Sequence, residues 1–66
     1  MKVRLNGKDI EINENITVAE LLGILKLSDK NVVVEINMNI IPKEDYANII
    51  IQENDKLEII HFVGGG

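Results

Sequence analysis

The stretch Met1-Lys2-Val3-Arg4-Leu5-Asn6-Gly7-Lys8-Asp9-Ile10-Glu11-Ile12 reverses direction at its middle. Met1, Val3 and Leu5 alternate with Lys2 and Arg4, the period-two pattern of a strand with one wet face. Asn6-Gly7 supplies two residues that readily take positive φ, as a two-residue type I′ turn requires. After the turn, Ile10 and Ile12 fall on one face and Asp9 and Glu11 on the other. The spacing predicts a β-hairpin whose apolar side needs a cover.

A cover follows in Ile16-Thr17-Val18-Ala19-Glu20-Leu21-Leu22-Gly23-Ile24-Leu25-Lys26-Leu27. Here Val18, Leu21, Leu22 and Leu25 recur at i, i+3, i+4 and i+7, one stripe of a helix. Thr17 is a favourable N-cap, Glu20 three residues later completes a capping box, and Ile16 can staple onto Leu21. Gly23 lies off the stripe and costs roughly 1 kcal/mol relative to Ala. Lys26 near the end suits the negative pole of the helix dipole.

The second half returns to strand composition. Residues 31–36 are rich in β-branched side chains, with Val32, Val34 and Ile36 on one face. Asn37-Met38-Asn39 reads as a turn, and Ile40-Ile41 as a short fourth strand stopped by Pro42, which has no ladder N–H. Pro42 at a first helical position, followed by Lys43-Glu44-Asp45-Tyr46, predicts one short helical turn. Ile49-Ile50-Ile51 leads into a polar turn at residues 52–55, with Asn54 suited to the left-handed region. Residues 56–63 are the last strand.

One helix and one mixed sheet must cover each other, because nothing else is long enough to bury either face. The economical arrangement pairs the first and last strands in parallel at the sheet centre. This is an α+β, ubiquitin-like β-grasp, with residues 1–63 as the domain and residues 64–66 as a flexible glycine tail. A chain of 66 residues buries only about 60% of its unfolded surface. It has no cysteine and one histidine, so neither a disulfide nor a structural metal is expected to staple it. Seven Lys and Arg against eleven Asp and Glu argue against a nucleic-acid partner. The apolar runs are too short for a membrane span and no signal peptide is recognisable, so a cytoplasmic location is expected.

Strand parity raises a question about the last strand. If Leu57 and Ile59 face the helix, then Glu58, Ile60 and Phe62 face away. Either neighbours such as Val33 shield Ile60 and Phe62, or the two form an exposed apolar patch that docks a partner. The sequence then runs on as Val63-Gly64-Gly65-Gly66. Without Cβ atoms, glycines can thread a channel closed to other residues. Three extended residues reach about 10 Å. The tail is either slack or the means of carrying the unhindered Gly66 carboxylate into another protein's active site.

Over nearly its whole length the sequence resembles the ThiS-type sulfur carriers of thiamine biosynthesis. The likeness is carried by "LNGKDIEI", "TVAELL", "VVVEIN", "IIPKEDYANIII", "QENDKLEII" and "HFVGGG". Asn54 stands where many members of that family have glycine, a difference that bears on the turn and not on chemistry. The resemblance implies that the chain is a co-substrate and not an enzyme. An E1-like adenylating enzyme would use ATP and Mg²⁺ to activate the Gly66 carboxylate. Sulfur drawn from cysteine through a desulfurase would convert it to a thiocarboxylate, which would donate sulfur to thiazole synthase. Gly65 and Gly66 match the family's diglycine and Gly64 is the spacer. By the resemblance, Ile60, Phe62 and Val63, with Gly64 and Gly65, are expected to contact the partner. No cofactor or metal would be bound. The alternatives are a related carrier serving molybdopterin or another sulfur pathway, and a non-catalytic β-grasp binding module.

Two other groups invite chemistry. His61 is the lone histidine, but no Ser, Cys or Asp is placed to work with it, so a partly packed strand-end residue is expected. Glu53, Asp55 and Glu58 read as a solvated turn and strand edge, because hard-ion loops need more ligands at closer spacing. Tyr46 is expected to pack its ring at the core edge with its hydroxyl in water.

Overall fold

The computed structural model describes residues 1–27 and 29–62. Strands β1 (Lys2–Leu5) and β2 (Lys8–Glu11) form the expected hairpin, with Val3 opposite Ile10 and Leu5 opposite Lys8. Asn6 at φ 49° and Gly7 at φ 84° both occupy the left-handed region, as the type I′ turn demands. On the wet face, Arg4 and Asp9 are paired across the strands and their charged atoms lie 3.9 Å apart.

Helix α1 spans Val18–Ile24 and buries Val18, Leu21 and Leu22. Its capping box is complete: Glu20 N–H donates to Thr17 Oγ1 at 3.1 Å, and Thr17 N–H donates to Glu20 Oε1 at 2.8 Å. A helix start leaves further N–H groups without internal partners. Two of these are met from far along the chain, Val18 N–H by the Ile49 carbonyl at 3.0 Å and Ala19 N–H by the Tyr46 carbonyl at 2.9 Å.

The helix stops earlier than its apolar run, with Leu25 as C-cap and Lys26 at φ 61°. Lys26 N–H bonds the Gly23 carbonyl and Leu27 N–H bonds the Leu22 carbonyl. Those two bonds define a Schellman ending in which Lys26 holds the place usually given to glycine. Lys26 is therefore a backbone terminator rather than a side chain on the last turn.

Strand β3 (Val32–Ile36) buries Val32, Val34 and Ile36, the face expected. Asn37 and Met38, at φ 51° and 73°, make a second tight turn into β4 (Asn39–Ile40). The fourth strand thus begins at Asn39, one residue before the expected Ile40-Ile41, because the turn uses two residues and not three. The helical turn is a 3₁₀ turn at Lys43–Asp45, and Pro42 precedes it with extended ψ of 144°. Tyr46 follows and is 3% exposed, so its ring belongs to the core and not to its edge. The 3₁₀ turn brings Tyr46 to the helix start, where its carbonyl is engaged.

The chain then passes Ile50, bridged to Thr17, and buried Ile51, and turns at Asn54 with φ 68°. Strand β5 (Lys56–His61) runs parallel to β1, with Arg4 opposite Lys56 and Leu5 opposite Leu57. It runs antiparallel to β3 from Ile36–Leu57 to Val32–His61. The sheet order is β2-β1-β5-β3-β4, so the last strand is central. Mixed sheet and helix together make the β-grasp, with an aliphatic core closed by Tyr46. The expected continuation of the last strand through Val63, and the tail of Gly64, Gly65 and Gly66, lie outside the described residues.

The Lys26 position gives a direct test. A left-handed residue with a side chain costs about 1–2 kcal/mol, and glycine's extra chain entropy returns roughly 0.5–1 kcal/mol of that. Lys26→Gly is expected to raise stability by about 0.5–1 kcal/mol, read as a higher urea midpoint at unchanged slope.

Candidate functional site

The last strand has two unlike faces. Leu57 and Ile59 point into the core, 1% and 8% exposed. On the opposite face Ile60 is 50% and Phe62 54% exposed. Val33 lies directly across from Ile60, yet leaves half of it open to water. Of the two sequence readings, shielding and exposure, the second holds for these two side chains. Phe62 lies one residue past β5 but stays on the sheet, its N–H bonded to the Asn31 carbonyl at 2.8 Å.

Sequence reasoning missed a further member of this face. Ile40 pairs with Glu35, and Glu35 pairs with Glu58, so all three stand on the outer side. Ile40 is 68% exposed. The available signal was the length of the Asn37-Met38 turn, which sets the parity of β4. Glu35 and Glu58 bring two like charges opposite each other, an arrangement that disfavours the sheet. The outer face therefore presents Val33, Ile40, Ile60 and Phe62 beside an acidic pair.

Side-chain amides fix the position of β5 at two points. At its start, Asn37 Oδ1 accepts from Lys56 N–H at 3.0 Å while Asn37 N–H donates to the Lys56 carbonyl at 2.8 Å. In its middle, Asn6 Oδ1 accepts from Ile59 N–H at 2.9 Å and Asn6 Nδ2 donates to the Ile59 carbonyl at 3.2 Å. The turn before the strand is likewise committed to structure. Asp55 accepts from Gln52 N–H at 2.8 Å and from Asn37 Nδ2 at 3.0 Å, which occupies both carboxylate oxygens. Among the described residues no group of three His, Asp or Glu side chains could hold a metal ion. His61 ends the strand on the core-facing side by parity but is exposed, not partly packed, because it lies at the rim.

A hollow of about 480 Å³ is lined by other elements, including Asn13, Glu14, Ile16, Glu20 and Ile24. Its described lining holds no Ser, Thr, Cys, His or Lys, and of its two carboxylates Glu20 is engaged in the capping box. Among the described residues, no helix is long and apolar enough to cross a membrane. The sequence-predicted residues Val63, Gly64, Gly65 and Gly66 are outside the described residues, so the site's geometry is that of the surface from which they lead.

Comparison with known proteins gives the family. The model of the ThiS family matches residues 3–66. The sulfur carrier protein ThiS of Bacillus subtilis is 43% identical over 65 residues, covering 97% of this chain and 98% of that one. A thiazole synthase of Paramagnetospirillum magneticum is 42% identical over 66 residues, and this chain spans 20% of its length. The crystal structure of a thiamine biosynthesis protein (ThiS) from Geobacter metallireducens superposes with a TM-score of 0.84 at 32% identity, covering both chains fully.

The two faces of β5 make separate predictions. Ile60→Asp is expected to cost no more than about 1 kcal/mol, the span of strand preferences at an open site. Ile59→Asp, one residue earlier, puts a carboxylate into the core and is expected to cost roughly 3 kcal/mol or more. Urea unfolding of the pair checks the contrast.

Proposed function

We infer, since this chain belongs to the ThiS family, that it is a sulfur carrier for thiazole formation in thiamine biosynthesis. The observation that carries this reading is the outer face of β5, where Ile60 and Phe62 stand exposed on the strand that leads to Gly65-Gly66. The family match through residue 66 and the likeness to whole-length carriers support it. Thiazole synthases whose length includes a similar stretch support the thiazole branch over other sulfur pathways.

The chain's own part is presentation. A partner docks on Ile60 and Phe62, with Val33 and Ile40 beside them, and a cationic group on that partner suits Glu35 and Glu58. Val63 and Gly64 serve as further partner contacts, and Gly65 and Gly66 enter the partner's active site because no side chain obstructs them. An E1-like adenylating enzyme, with ATP and Mg²⁺, joins a Gly66 carboxylate oxygen to the α-phosphorus and releases pyrophosphate. A sulfur nucleophile derived from cysteine through a desulfurase then attacks the acyl carbon. The C–O bond to AMP breaks and AMP leaves; where the nucleophile is a persulfide, a thiol reductant then splits the S–S bond of the acyl disulfide, and Gly66 ends as a thiocarboxylate. Thiazole synthase takes the sulfur from there. The carrier binds no cofactor and works in the cytoplasm.

Deletion of Gly65-Gly66 separates this reading from an inert binding module. The shortened protein should unfold at the same urea concentration, yet show no mass gain of one sulfur-for-oxygen exchange after incubation with the activating enzyme, ATP and a sulfur source. Loading of the truncated chain would sink the proposal. His61→Asn should load at nearly the parent rate, because the histidine takes no part in the acyl chemistry.

A further inference from the structure

Resting on that reading, we propose that Asn6 is a positioning residue for docking: its side chain serves as a substitute strand that holds the outer half of β5 in line where β1 has ended. The β1–β5 register consists of Arg4–Lys56 and Leu5–Leu57. The last main-chain bond across that seam is Asn6 N–H to the Leu57 carbonyl at 2.8 Å. At Asn6 the backbone turns left-handed, φ 49°, and the chain departs into β2. By strand alternation, the next groups on this flank of β5 are the N–H and C=O of Ile59. Both are taken by the Asn6 amide, at 2.9 and 3.2 Å, across 53 residues of sequence.

A primary amide has one donor and one acceptor side by side, the same pair that a peptide unit offers to a ladder. Asn6 thus continues the seam by one rung after the main chain has left it. On the other flank β5 is held by β3 as far as the bond from Phe62 N–H to Asn31. With the amide in place, the segment bearing Ile60 is braced from both sides immediately before Phe62. Without it, Ile59 loses two partners on one side and the strand's end is held by β3 alone. Asn6 is also a residue whose turn role is replaceable, since glycine takes positive φ without strain.

Asn6→Gly therefore removes the amide while keeping the turn and the main-chain bond to Leu57. In the 66-residue protein, amide exchange at Ile59 should accelerate about tenfold or more, as expected for a part-buried N–H losing its acceptor. Val3 and Leu57 should keep most of their protection, reporting an intact fold. In steady-state pyrophosphate release by the activating enzyme, KM for the carrier should rise about tenfold with kcat nearly unchanged. That split is what loss of docking geometry gives and loss of tail chemistry does not. Asn6→Asp can accept from Ile59 N–H but sets a carboxylate oxygen against its carbonyl, so it should not restore KM.

Unchanged Ile59 exchange, or faster exchange with an unchanged KM, overturns the inference and leaves the carrier reading standing. A fall in kcat at constant KM overturns it as well. Failure of the parent chain to support pyrophosphate release overturns the carrier reading, and the docking role with it.

Discussion

A parallel pair of strands cannot be closed by a tight turn, and the seam between β1 and β5 is parallel. Everything from the end of the hairpin to the polar turn at residues 52–55 is in effect the connection that makes this seam possible. The helix covers the apolar side of the sheet, and β3 with β4 provides the second flank. The last strand then occupies the centre, with partners on both edges. A central strand needs no charges to guard an edge. Leu57 and Ile59 on its inner side belong to the core, while Lys56, Glu58 and Ile60 on its outer side stay open to water. The exposure of Ile60 is thus a consequence of one pairing.

The helix that makes this possible is short. Seven residues do not form a stable helix alone, so its strength comes from packing and from its ends. Both ends are finished by hydrogen bonds rather than left frayed. The start combines a local box with two carbonyls from the loop that contains Tyr46 and Ile49, and the finish is a Schellman turn around Lys26. Among the described residues the domain has no buried ion pair holding it, and Asp55, the most engaged carboxylate, secures a turn.

Local rules carried much of this in the sequence. The Asn6-Gly7 turn, the Thr17–Glu20 box, the Val32-Val34-Ile36 face and the left-handed Asn54 are each decided by neighbours a few residues away, and all four stand as read. The parallel central strand was reachable because few arrangements cover one helix and one sheet. What escaped reading depends on distant partners. Tyr46 is buried in a core assembled from residues far from it in sequence. Lys26 defies the usual glycine because the Schellman bonds and the Leu22–Leu27 environment outweigh its local preference. The exposure of Ile60 turned on how much of it Val33 covers, a question of cross-strand size rather than pattern. Ile40 joined the outer face through a turn one residue shorter than expected. Asn6 was legible as a turn former, but its side chain's reach to Ile59 had no local signature.

The carbonyls of Tyr46 and Ile49 that finish the helix start have a kinetic implication. A nascent chain that has produced only its first half has the hairpin and the capping box but lacks those two acceptors, and its helix remains a transient turn. Completion waits for the later loop and for the strand that follows it, both separated widely in sequence from what they secure. Contacts of that separation slow the search and make the final step cooperative. The domain accordingly gains its order late and nearly all at once.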